Sequence, residues 1–157
     1  MWMIAVRQVL LWTLVCGLLY PLLVTGLSQS ISGQAVVGQA VEGKAYFWPR
    51  PSAVGYNPAA SSGSNFGPHE PRRELQTDRF PKDAPADLRY SSGSGLDPDI
   101  TPEGAFYQVP RVAAARGLAP ARLDELVRAH VQPRTFGVLG HERVNVAELN
   151  QALDGLK

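Results

Sequence analysis

Several short stretches bring together the side-chain types that chemistry needs. Gly38 to Lys44 reads Gly-x-x-x-x-Gly-Lys, the glycines and lysine of a phosphate-cradling loop. The next residue is Ala45, so the hydroxyl that would hold Mg²⁺ is missing. Tyr46-Phe47-Trp48-Pro49 follows where a helix should begin, and no buried strand leads in. The spacing is a coincidence of small residues. Gly93-Ser94-Gly95 looks like a nucleophile elbow, but Gly-x-Ser-x-Gly requires a spacer on each side of the serine. Asp97-Pro98-Asp99-Ile100-Thr101 sets oxygens at alternate positions, yet a calcium loop would want glycine at Pro102 and glutamate at Gln108. His130 shares an apolar helical face with Leu123, Leu126, Val127 and Val131, which makes it a packed side chain before it is a ligand. These residues leave no catalytic and no metal assignment.

Binding chemistry has a better claim. Tyr46 to Pro68 concentrates aromatic, proline and Gly/Ser residues, with Trp48, Arg50, Tyr56 and Asn65 among them. Proline fixes φ, glycine and asparagine supply positive φ, and buried aromatics pin such loops in place. With Asp97 and Arg111 from later stretches, these are the candidate partner-binding residues. The competing reading is a self-packed loop whose side chains face inward.

Something must position these loops, and the dominant element is Gln8 to Leu27, a run of twenty residues without a charge. A helix of that length spans ~30 Å, the hydrocarbon thickness of a bilayer. Pro21 predicts a kink, and Thr13 and Thr25 can bond back to the preceding turn. A cleavable signal peptide would have a shorter apolar region, and Leu27-Ser28-Gln29-Ser30 is a poor cleavage site. Cys16, the only cysteine, falls mid-span behind bulky Val15, which argues against a lipoprotein site. Arg7 precedes the run and no charge follows until Glu42, so the expected topology is residues 1–7 in the cytoplasm, 8–27 across the membrane and 28–157 outside.

Those 130 outer residues carry 14 Lys+Arg, since only Arg7 of 15 lies before Ser28, against 14 Asp+Glu. Nucleic acid and anionic surfaces as partners both demand a basic excess that is absent here. With one membrane-embedded cysteine, no disulfide can staple the domain within one chain. His69 to Asp87 mixes charges and prolines and predicts a solvated linker, and Leu88–Tyr90 predicts a short strand. Ser28 to Gly43 predicts a helix extension passing into a strand. Thr101-Pro102-Glu103 starts a helix, Pro110 marks a kink, and Gly117 closes a second stretch, Arg111 to Arg116. Pro120 opens another, Thr135–Leu139 alternates like a strand, and Asn145-Val146-Ala147-Glu148 resembles a capping box, with Val144 and Leu149 as its staple. The fold class is therefore a single N-terminal transmembrane helix plus an α+β extracytoplasmic domain.

Three stretches together resemble the KdpC family, the C subunit of the bacterial potassium-transporting P-type ATPase. They are Tyr46-Phe47-x-x-Arg50-Pro51-Ser52 with Tyr56-Asn57 and Gly63-Ser64-Asn65; Ser92-Gly93-Ser94-Gly95-Leu96-Asp97-Pro98 continuing to Gln108-Val109-Pro110-Arg111-Val112-Ala113 and Ala115-Arg116-Gly117; and Gly137-x-Leu139-Gly140 with Arg143-Val144-Asn145-Val146 and Leu149-Asn150. Pro49 stands where the family tends to have glycine and Asp99 where it has histidine, and 69–87 is about a dozen residues short. The resemblance implies an accessory subunit in the cell membrane, partnered by a pore-forming K⁺-binding subunit and a P-type catalytic subunit, with a small single-span subunit as a further candidate and lipid around its helix. ATP and K⁺ would be used by the complex, with no cofactor held by this chain. Its contribution would be assembly, shaping of the outer pore entrance, or assistance in ATP use. One span cannot build a selectivity filter, and no phosphoryl-transfer constellation is present. The alternatives are a membrane-anchored periplasmic hydrolase using Ser94, Asp97 and a histidine, His130 or His141, neither of which has the local context of a base, and a stand-alone binding protein.

Overall fold

The computed structural model describes residues 2–32, 37–60 and 79–156, with only the backbone at Ile31 and Ser32. Asn65, the Gly63-Ser64-Asn65 motif and most of the charged stretch from His69 lie outside the described residues. The chain divides into two compact units, Met1–Ala35 and Val36–Lys157.

The first unit is helical throughout its described part. Helix α1 (Trp2–Leu14) runs through a π-helical stretch, Val15–Leu19, into α2 (Tyr20–Ser32). The π stretch ends at Leu19, two residues before Pro21, and the Tyr20 N–H bonds back to Val15 O, five residues earlier. Proline has no N–H for the Gly17 carbonyl and its ring crowds that turn; one widened turn relieves both problems where a simple kink was expected. The segment Trp2–Ser30 is long and apolar enough to cross a membrane, and its large side chains are exposed all round.

The second unit packs helices on a small sheet. Strands β1 (Asp99–Ile100), β2 (Val131–Gln132) and β3 (Arg143–Asn145) form an antiparallel sheet in the order β1-β3-β2, with Val144 opposite both Ile100 and Val131. Against it lie α4 (Pro102–Arg116), α5 (Pro120–Ala129) and α6 (Val146–Asp154). Val112, Leu123, Val127, Val144, Leu149 and Leu153 are fully buried at their junction. Each helix starts as its residues dictate. Thr101 Oγ1 accepts the Gly104 N–H at 3.0 Å, and Asn145 Oδ1 accepts those of Ala147 and Glu148 at 3.0 and 3.2 Å. Gly117, at φ 66°, closes α4 in the left-handed conformation glycine tolerates best.

Several expectations change. Pro110 does not divide α4, which is one helix with Val109, Val112 and Ala113 buried across the proline. Leu88 lies in a short helix, α3 (Ala86–Arg89), because Pro85 fixes its entry and the Asp87 carboxylate ties it to the start of α4 through the Thr101 N–H at 2.6 Å. Thr135–Leu139 is a tight turn closed by a bridge between those two residues, since Phe136 (φ 54°) and Gly137 (φ 78°) cannot continue an extended chain. No strand forms between Val37 and Gly43. The end of the expected linker is packed, with Phe80 and Ala84 in the core.

Candidate functional site

The segment from Lys44 to Ser52, a turn at Lys44–Ala45 and a bend at Tyr46 followed by irregular chain, pairs with no strand. Its five consecutive carbonyls from Lys44 to Trp48 are instead taken by side chains: Lys44 and Tyr46 by Arg111 (2.8 and 3.0 Å), Ala45 by Arg116 (2.8 Å), Phe47 by Asn150 (2.9 Å) and Trp48 by Gln108 (3.1 Å). The same two amides accept from the backbone, Asn150 from Phe47 N–H at 2.9 Å and Gln108 from Trp48 N–H at 2.8 Å. Each primary amide thus satisfies one residue's donor and acceptor together, as a neighbouring strand would. This lets Phe47 insert fully into the core, a burial contributing roughly 1.5–3 kcal/mol. Gln108 is itself buried, so its partners are obligatory.

Trp48 lies across this clamp. Arg111 stacks 3.7 Å from its ring centroid, Arg79 lies 5.1 Å from it, Phe80 meets it edge-on at 5.3 Å, and its indole N–H reaches Gly43 O at 2.7 Å. Burial and the like charge of Arg79 lower the Arg111 pKa to about 10, which leaves it cationic at neutral pH. Beyond Pro49 a second cluster takes over. Arg50 pairs with Asp97 at 2.9 Å and reaches Ser91 O at 3.4 Å. The Tyr56 hydroxyl donates to Arg50 O at 2.8 Å, and burial pushes the Tyr56 phenol upward against the opposing influence of Arg79. Ser52 Oγ donates to Gly95 O at 2.7 Å while accepting the Tyr56 N–H at 2.9 Å.

The structure therefore brings Trp48 to Arg111, and Arg50 to Asp97 and Tyr56, in two adjoining clusters. Both hold their own backbone in shape, and both keep partly exposed faces. What the sequence left unseen are the roles of Gln108, Asn150 and Arg116. A polar residue among buried helical neighbours, such as Gln108 beside Val109 and Val112, was the available signal.

The phosphate-loop spacing has a structural origin as well. Gly38 donates to Leu96 O at 2.7 Å, and a Cβ there would stand 2.7 Å from Asp97 O; Gly43 turns at φ 85°. Asp97 gives its oxygens to Arg50 and to the Asp99 N–H (3.1 Å), so it orients no base. His130 closes α5 through Nδ1, 2.8 Å from Leu126 O. Asp99 faces Arg143 at 3.3 Å and Asn145 at 3.2 Å, but burial and the nearby Asp97 raise its pKa. Among the described residues no cluster of three or more His, Cys, Asp or Glu could hold a metal ion.

Comparison with known proteins gives a consistent result. Residues 29–155 match the model of the KdpC family, described as the K⁺-transporting ATPase, c chain. The chain is 42% identical to the potassium-transporting ATPase KdpC subunit of Geobacter metallireducens, over 97% of this chain and 96% of that protein. It is also 42% identical to the KdpC subunit of Herpetosiphon aurantiacus, over 98% and 95% of the two chains. The KdpC subunit of Myxococcus xanthus is 42% identical over 96% of this chain and 85% of the relative.

Proposed function

Since the chain belongs to the KdpC family of K⁺-transporting ATPase c chains, we propose that it is the accessory, non-catalytic subunit of an ATP-driven K⁺ uptake pump. The observation that carries this is similarity along nearly the whole chain, 97% of it in one relative, rather than at one motif. The hydrolase alternative loses its support, because Asp97 is engaged by Arg50 and the Asp99 N–H.

On this reading residues 1–7 are cytoplasmic, 8–27 cross the membrane and 28–157 form the outer domain. The subunit holds the assembly together beside a pore-forming chain and a P-type catalytic chain. The two clusters around Trp48–Arg111 and Arg50–Tyr56–Asp97, with Asn65, form the surface that docks onto the outer face of the pore-forming chain. Their internal bonds fit that role, because a surface fixed before binding loses little conformational freedom on docking. Trp, Tyr and Arg bury large areas while keeping polar atoms, the usual composition of energetic anchors. The membrane helix adds a second attachment and raises the effective concentration of the domain at its target.

The test is purification in mild detergent from cells producing the whole pump. The chain is expected to co-purify with large membrane partners, and isolation of the chain alone, folded and unaccompanied, overturns the subunit reading. Asp97→Asn keeps the hydrogen-bonding shape but removes the charge facing Arg50. It is expected to leave the chain folded and to weaken retention in the pump severalfold; a folded variant retained like the wild type excludes the Arg50–Asp97 face from docking.

A further inference from the structure

Tyr107, Pro110 and Arg111 on α4 border a cavity of about 280 Å³ whose other side is Arg79, Phe80 and Pro81. Tyr107 and Arg111 stand one turn apart, so they share a face of the helix. Phe80 is buried, with its ring 5.3 Å from that of Trp48 and 6.4 Å from that of Tyr107, and it anchors its neighbour Arg79 at the cavity's edge. Two guanidinium groups therefore meet at one cavity. Both lie against the same indole, Arg111 at 3.7 Å and Arg79 at 5.1 Å from its centroid.

Neither charge is answered. Among the described residues Arg79, which is exposed, makes no ion pair and no hydrogen bond. Half-buried Arg111 gives three N–H groups to Lys44 O, Tyr46 O and Gln108 Oε1 at 2.8, 3.0 and 2.6 Å, all neutral acceptors. Of the five that a guanidinium carries, one on Nε and one on Nη1 are left over. Burial and the like charge of Arg79 act on Arg111, and no carboxylate opposes them. Burial and the nearby Asp83 raise the Tyr107 phenol, which keeps its proton and can donate, while Asp83 pairs with neither arginine. Two cations held together beside apolar walls cost stability unless an anion joins them.

We infer that this cavity binds a doubly charged tetrahedral oxyanion of the inorganic phosphate class, held by Arg79, Arg111 and the Tyr107 hydroxyl. Guanidinium groups present paired N–H donors that match such oxygens, and bonds between ionised partners are the stronger kind. Charge selects the class. Two cations with no carboxylate between them leave two units to balance, whereas the phosphodiester of a lipid headgroup carries one. The apolar wall of Phe80, Pro81 and Pro110 keeps part of the water away and strengthens the attraction. The site is built from this chain's residues alone and stands apart from the subunit reading.

The experiment titrates inorganic phosphate into the full chain in mild detergent by calorimetry, with ionic strength held constant by sodium chloride so that diffuse attraction is screened. Saturable binding of one phosphate per chain is expected. Arg79→Gln removes one charge and no hydrogen bond of the fold, and it is expected to weaken binding about tenfold, with Arg79→Lys recovering part of the loss. Arg128→Gln lowers the net charge equally at an exposed arginine over Phe106, and it is expected to bind like the wild type. Dimethyl phosphate, singly charged like a lipid phosphodiester, is expected to bind the wild type about tenfold more weakly than phosphate. Four results overturn the site: no phosphate uptake by the wild type, undiminished uptake by Arg79→Gln, an equal loss in Arg128→Gln, or diester binding as tight as phosphate binding. The diester comparison needs no variant, so it decides even where a substitution unfolds the chain. Failure of the chain to co-purify with other pump chains would sink the subunit reading and leave this site untouched.

Discussion

Asp99 shows how one side chain can work against its own fold. Burial is the largest influence on it and raises its pKa, Asp97 raises it further, and Arg143 and Asn145 pull the other way. A carboxyl whose folded pKa exceeds its unfolded value binds more protons in the native state, so its contribution is present below the unfolded pKa. That contribution is lost as pH rises through the window between the two values. Relative to Asp99→Asn, the wild-type chain is therefore expected to gain stability as pH falls through the carboxylate range. Urea unfolding of both chains in detergent across that range measures the difference; parallel pH profiles would show that Asp99 titrates normally. Residue roles were legible in the sequence where their partners are local. Thr101 and Asn145 cap helices within three residues of themselves. Gln108 and Asn150 act across separations of 60 and 103 residues, and no local pattern encodes such a pairing.

At the scale of elements, the two prolines inside helices meet different answers. Before Pro21 a turn widens into π geometry, while Pro110 sits on the solvent side of α4, where water can take the freed carbonyl. Val109, Val112 and Ala113 are buried beside Pro110, and burial of that face outweighs an interior proline's cost of about 3 kcal/mol. Pro110→Ala is accordingly expected to stabilise the chain by roughly 1–2 kcal/mol, part of the gain being offset by a freer unfolded chain. A higher urea midpoint with unchanged slope is the result sought. A lower midpoint would mean that Pro110 packing beside Arg79 and Phe80 outweighs the lost hydrogen bond. Helices with apolar periodicity and caps were readable in advance, whereas strands of two or three residues were not. A strand that short is defined by its partner, and Thr135–Leu139 alternates as a strand should yet has a glycine where extension must end.

For the whole molecule, the uncharged run was the clearest message in the sequence, and what it leaves to experiment is direction. Arg7 is the only charged side chain before Glu42, so the signal that orients the helix is small but one-sided. Residues 28–157 carry balanced charge and offer no competing retention signal. Alkaline phosphatase fused after Lys157, active only when exported, is therefore expected to be active, with the amino terminus inside. Moving the charge should weaken that outcome. Arg7→Gln combined with Gln29→Lys and Ser30→Lys places the basic residues on the far side of the span, and exported activity is expected to drop severalfold at equal chain level. On the proposed docking, retention in the pump should fall in step, because a domain left in the cytoplasm cannot present the Trp48 and Arg50 clusters to an outer face. An inactive wild-type fusion would reverse the topology. Exported activity that ignores the charge swap would mean that contacts with the other chains, rather than Arg7, decide which way the helix inserts.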